Sequence, residues 1–128
     1  MTFTPKTALV KRFADQQTYS PNHHTGTINC RFLDAGETAH DLTVVRGTLS
    51  PDGGADYHVH HHSDQLMFVI SGSCIVTVEG TEHEIAAGDM IFLPRAVPHG
   101  VRVTSRHDLQ LHITYLPSLQ DGDTHSVE

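Results

Sequence analysis

Twelve histidines in a chain of 128 residues set the first question, which is where they fall. Neutral imidazole is the commonest metal ligand of proteins, and it titrates near neutral pH. His58 and His60 are two residues apart. On a β-strand, side chains alternate between faces, so this spacing sends both imidazoles to the same side. Gln65 starts the next β-rich stretch and His99 starts a later one. Three short segments can therefore converge on one point and offer three imidazoles and an amide to a single ion. All four groups are neutral, so a divalent ion held by them keeps its full charge. That makes it a stronger Lewis acid toward a bound oxygen than an ion on carboxylates, and a more weakly and less selectively bound one. The expected cofactor is one divalent transition metal per chain, Zn, Mn, Fe, Ni or Co, held by His58, His60, Gln65 and His99.

His112 is the remaining histidine with a chemical reading. Leu109, Leu111, Ile113 and Tyr115 alternate with Gln110, His112 and Thr114. If the polar set faces inward, His112 is the candidate catalytic general acid/base, histidine being the side chain most often used for that role. If it faces outward, the leucines fill the interior and His112 is a surface residue. His61 and His62 belong to a loop. His23, His24, His40, His83, His107 and His125 read as surface residues, and Arg46 as an outer-face charge. Met67, Val69, Phe92 and Tyr115 suit an apolar pocket and suit core packing equally well.

The elements that must carry these groups are short and β-rich. Thr27–Leu33, Asp41–Leu49, Tyr57–His60, Gln65–Ser71, Cys74–Glu79, Glu82–Ile85, Met90–Leu93, Val97–Val103 and Asp108–Leu116 are separated by Gly, Pro, Asn and Asp signals. Among those signals, Pro51-Asp52-Gly53-Gly54 is the strongest turn. No window between 27 and 116 has an apolar period of 3.6 over helical length. Many short strands at such spacing point to an all-β sandwich or closed barrel. The expected organisation is an N-terminal arm over 1–26, a β-barrel domain over 27–117 and a flexible C-terminal tail over 118–128.

Composition narrows the partners. Lys and Arg number 8 against 15 Asp and Glu, a formal charge of −7. With no basic stripe to neutralise phosphates, nucleic acid is not an expected partner. No apolar run has the roughly 18 residues of a membrane span, and the first residues lack the apolar stretch of a secretory signal. Cys30 and Cys74 form no disulfide framework, and a reduced cytoplasmic setting accounts for both.

Two stretches carry a family resemblance. His58-Val59-His60-His61-His62-Ser63-Asp64-Gln65, with Gly72 after six further residues, resembles the first motif of the cupins. Gly88-Asp89-Met90-Ile91-Phe92-Leu93-Pro94-Arg95-Ala96-Val97-Pro98-His99 resembles the second, and fifteen residues lie between Gly72 and Gly88. The resemblance covers about residues 40–116 and implies a jelly-roll barrel, the double-stranded β-helix of that family. Gln65 stands where the first motif has glutamate, Ala96 where the second has glycine, and Val103 where it has asparagine. Three-histidine and three-histidine-plus-glutamine cupins are similar to uronate-linearising enzymes, aromatic polyketide cyclases, hydroxynitrile lyases and diketone-cleaving dioxygenases. The resemblance thus implies a metal-dependent enzyme acting on a small oxygenated substrate by isomerase, cyclase or lyase chemistry. The alternatives are an Fe(II)-dependent dioxygenase and a non-catalytic barrel that binds a small molecule or metal. It also implies a homodimer paired sheet to sheet.

Overall fold

Period-two alternation builds the scaffold, as the β9 strand (Leu109–Leu116) illustrates. Leu109, Leu111, Ile113 and Tyr115 are buried while His112 and Leu116 are exposed. The computed structural model describes residues 8–127. Before β9 come a short 3-10 turn (Phe13–Asp15), β1 (Thr18–Tyr19), β2 (His24–Leu33), β3 (Thr43–Val59), β4 (Asp64–Ser71), β5 (Ser73–Val78), β6 (Thr81–Ala86), β7 (Met90–Leu93) and β8 (His99–Val103). β10 (His125–Ser126) follows it. No helix among the described residues is long and apolar enough to cross a membrane.

All the pairings are antiparallel, in the order β6-β5-β8-β3-β9-β4-β7, with β2 also on β3, β1 on β2 and β10 on β3. The result is a nearly closed jelly-roll barrel. β3 is the element shared by its two sheets. Residues from Thr43 to Leu49 pair with β9, and residues from Gly54 to His58 pair with β8. Pro51-Asp52-Gly53-Gly54, expected as a turn, instead lies inside this strand. The glycines serve close approach rather than chain reversal. A Cβ on Gly54 would stand 2.5 Å from the Val101 carbonyl oxygen, and one on Gly53 would stand 2.7 Å from that of Thr25.

The core joins inward residues of both sheets, among them Val45, Leu49, Met67, Val69, Val76, Leu93, Leu109 and Leu111. Fully burying such a side chain contributes roughly 1.5–3 kcal/mol. The outer face of β4 and β7 is also apolar: Phe68 pairs with Met90 and Leu66 with Phe92, and Phe68, Ile70, Met90 and Phe92 are 46–50% exposed. Phe92 thus faces away from the cavity, and Val69 packs in the core.

Two boundaries differ from expectation. The first barrel strand starts at His24, inside the expected arm, and Thr18–Tyr19 adds a further short strand to it. The expected free tail folds back: Leu119 packs against the core, Asp123 is buried, and β10 pairs with the end of β3. Asp123 bonds the barrel, while Gln120, Asp121, His125 and Ser126 remain exposed.

Candidate metal centre

β3 and β8 bring the histidines together by register. His58 pairs directly with His99, placing their rings 4.4 Å apart between centroids. His60, one alternation further along, lies 4.9 Å from His58 and 5.6 Å from His99. All three are buried, and their ligand atoms lie within 4.8 Å of one another. Gln65, at the start of β4, is 4% exposed and lines the same cavity.

The outer nitrogens of the three rings are tethered. Nδ1 of His58 donates to the Asp56 carbonyl at 2.5 Å, Nδ1 of His60 to that of Asp123 at 2.7 Å, and Nδ1 of His99 to that of Val97 at 3.3 Å. A carbonyl oxygen only accepts, so each Nδ1 carries the proton and each Nε2 presents a lone pair. This is the hydrogen-bonding that fixes the tautomer of a metal-bound histidine. His60 Nε2, His99 Nε2 and Gln65 Oε1 are buried and have no hydrogen-bond partner among the described residues. Buried polar atoms are nearly always paired, so three unpaired acceptors around one cavity fit a cation. Burial also keeps the rings neutral, lowering His58 to about 4 and His99 to about 3, with His60 shifted the same way.

The loop between the motifs' proline and histidine is fastened to the same point. The Ala96 amide donates to the His60 carbonyl at 2.6 Å, with Ala96 at φ 64°. Left-handed backbone favours glycine, the residue for which Ala96 substitutes in the resembling motif.

The cavity holds about 280 Å³ and is walled by strand residues, by 19–22 of the N-terminal segment and by 119–122 and Thr124 of the C-terminal one. Met67, Leu111, Ile113 and Val101 give it apolar sides. Tyr115 sets its ring edge-on to His60 at 5.6 Å, and burial drives its phenol far above the usual range, keeping it neutral. β2 contributes a polar row, His24, Thr27, Asn29 and Arg31. Arg31 is neutralised by Asp34 at 2.7 Å. Asn29 is 7% exposed and its Oδ1 has no partner among the described residues; it lies over Gly47, where a Cβ would stand 2.9 Å from that oxygen.

His24 belongs to the site rather than to the surface. Its ring lies 6.0 Å from that of His58, and burial, reinforced by His58, lowers it to about 4. The Thr27 hydroxyl donates to the Thr25 carbonyl at 3.1 Å, so it accepts from His24 Nδ1 at 3.3 Å. The His24 Nε2 is therefore the basic nitrogen. Its alternation with Thr27 is broken by a bulge at Gly26, which hides it from a period-two reading. Asn29 was hidden as well: it is buried while its neighbour Ile28 is 55% exposed, the reverse of what their polarities suggest.

His112 does not reach the cavity. It is exposed on the outer face of β9, beside Thr114 at 3.5 Å and 6.4 Å from the Phe68 ring. Its neighbours Leu111 and Ile113 take the inside, so His112 is corrected to a surface residue. Arg46, also outward, bonds Gln110 at 2.8 Å and lies 5.1 Å from the Phe13 ring. His61 and His62 are exposed loop residues, as expected.

The family model described as "Cupin domain" matches residues 45–115. Dimethylsulfoniopropionate lyase DddW of Ruegeria pomeroyi is 32% identical over 76 residues, covering 59% of this chain and 50% of the lyase. The chain's matched stretch spans 26%, 57% and 50% of three curated relatives. Among solved structures, the polyketide cyclase RemF of Streptomyces resistomycificus superposes with TM-score 0.80 at 19% identity, covering 95% of this chain and 87% of that one. Pac13 of Streptomyces, a nucleoside dehydratase, does so with TM-score 0.74 at 18% identity, over 95% of this chain and 92% of its own. At these identities the structures speak for the fold.

Proposed function

The chain belongs to the cupin family, and from that premise we propose that it is a metal-dependent enzyme performing lyase, dehydratase or cyclase chemistry on a small oxygenated substrate. The observation carrying this reading is the set of buried lone pairs on His60, His99 and Gln65 left without a partner among the described residues around one cavity. His58, His60 and His99 would hold the ion, with Gln65 as fourth ligand. A divalent ion there supplies Lewis acidity toward a substrate oxygen. The protein's own groups do the rest. His24 Nε2 takes or returns a proton at the cavity wall, the Tyr115 phenol stays neutral as a donor, and the Asn29 amide anchors a substrate hydroxyl or carbonyl. The apolar sides formed by Met67, Leu111 and Ile113 exclude water from the reacting atoms. The cavity volume of about 280 Å³ suits a small metabolite. A lyase among the similar curated proteins supports this choice over oxidation.

The test begins with elemental analysis of the purified chain beside His99→Ala. About one equivalent of metal, lost in the variant, is expected. The protein loaded in turn with Zn, Mn, Fe(II), Ni and Co is then followed by NMR against a panel containing dimethylsulfoniopropionate, a nucleoside and small hydroxycarbonyl compounds, with an oxygen electrode alongside. Turnover without oxygen uptake fits the proposal. Oxygen consumption with Fe(II) would move the assignment to a dioxygenase, and metal uptake with binding but no turnover to a binding barrel.

The exposed apolar face of β4 and β7 supports a homodimer in which a second copy covers Phe68, Ile70, Met90 and Phe92. Sedimentation velocity should give a dimer that Phe92→Asp converts to a monomer.

A further inference from the structure

The C-terminal segment is joined to the candidate centre at its least expected point. His60 gives its Nδ1 proton to a carbonyl 63 residues later in the chain, that of Asp123. His58 and His99, by contrast, are tethered to carbonyls only two residues away. Local tethers form with their own strand; the His60 tether exists only while the segment is docked. What docks it is the Asp123 carboxylate, 4% exposed, whose two oxygens accept the His61 and His62 amides at 3.0 Å each. β10 continues the attachment, with the Val127 amide donating to the Tyr57 carbonyl at 3.0 Å. The same segment supplies Leu119, Gln120, Asp121, Gly122 and Thr124 to the cavity wall.

We infer that Asp123 is a positioning residue for the metal centre: by pinning the C-terminal segment it orients His60, so that metal binding and docking of residues 118–127 stabilise each other. This rests on the metal reading proposed above. The coupling is reciprocal of necessity: a segment that improves ion affinity when docked must be held more tightly when the ion is bound. Hydrogen-bond partners of metal-bound histidines typically change affinity about 10–100-fold. The segment also walls the cavity, so the ion that binds substrate would in addition keep that wall closed.

The test uses the full chain with Zn(II) and Co(II) as probes. Hydrogen exchange of wild-type protein with and without Zn(II) is measured first and needs no variant. Amides from Asp123 to Val127 should gain protection, at least tenfold, beyond any change in β5 and β6. Zn(II) affinity, by competition with a chromophoric chelator, should fall about tenfold or more in Asp123→Ala and less in Asp123→Asn, which keeps one acceptor. The visible spectrum of the Co(II) protein should change in the alanine variant. A purely structural Asp123 would lower thermal stability yet leave both affinity and spectrum unmoved. Equal exchange in the segment with and without Zn(II), or equal affinity in wild type and variants, overturns the inference while leaving the metal reading intact. Failure of the wild-type chain to bind either ion overturns both.

Discussion

Gln65 sets the charge of the candidate centre, and one substitution isolates that property. Gln65→Glu adds a ligand charge to three neutral imidazoles, so Zn(II) should bind at least tenfold tighter, about 1.4 kcal/mol, in a chelator competition. The same charge reduces the ion's pull on a substrate oxygen, so turnover should fall as affinity rises. Both quantities rising together would contradict the role given to the neutral amide. Asn29 is the second informative residue. Its Oδ1 is buried without a partner among the described residues, and such an atom costs about 1–3 kcal/mol. Asn29→Leu, similar in volume, should raise the denaturation midpoint by an amount equivalent to about 1 kcal/mol and lower substrate affinity. A loss of stability would instead make the amide structural. The shared face of His58 and His60 was legible because two-residue spacing on a strand fixes a common side. His24 was not, because a bulge broke the alternation, and His112 was ambiguous because alternation says which residues share a face and not which face is inside.

Among the elements, β3 determines whether the two sheets meet correctly. It crosses from one to the other near Gly53 and Gly54, where neighbouring backbone leaves no room for a side chain. Gly54→Ala should destabilise the protein by about 2 kcal/mol or more, since the Val101 carbonyl that obstructs the methyl is fixed in β8. Urea denaturation would measure it, and a change under 0.5 kcal/mol would mean that the crossing is plastic. Pro-Asp-Gly-Gly carries a turn signal by local chemistry. Here the local preference yields to tertiary pairing, because the bend needed is between sheets rather than between strands of one hairpin. The strands on either side were legible from their patterns. Their fusion into one element depends on contacts with β2 and β8 that no short window contains.

For the whole molecule, burial of uncharged histidines implies an acid limit. In the metal-free protein His24, His58 and His99 lie at about 4, about 4 and about 3 instead of 6.5, chiefly because burial penalises their charge. Between 6.5 and these values the unfolded chain binds protons that the folded chain does not. Stability contributed by these groups is thus complete above pH 6.5 and declines as the pH falls toward 4. Urea midpoints of the metal-free protein at pH 7 and pH 5 should differ in that direction, and a flat profile would contradict the burial of the rings. An all-β sandwich or barrel was legible at this scale from the succession of short strands, and the resemblance of the two motifs to those of the cupins selected the barrel. The C-terminal segment was not: its polarity resembles a solvated tail, and only the fold reveals that Asp123 answers two loop amides.

Cys30 and Cys74 are free thiols, each 1% exposed, on β2 and β5. Burial raises Cys74 to about 11 and shifts Cys30 upward as well. Neither sulfur can meet an alkylating reagent, or ionise to attack one, until its own strand parts from its neighbours. The molecule therefore carries two clocks of its own breathing, one in each of two walls, and the rates at which they are labelled would time the opening of one wall independently of the other.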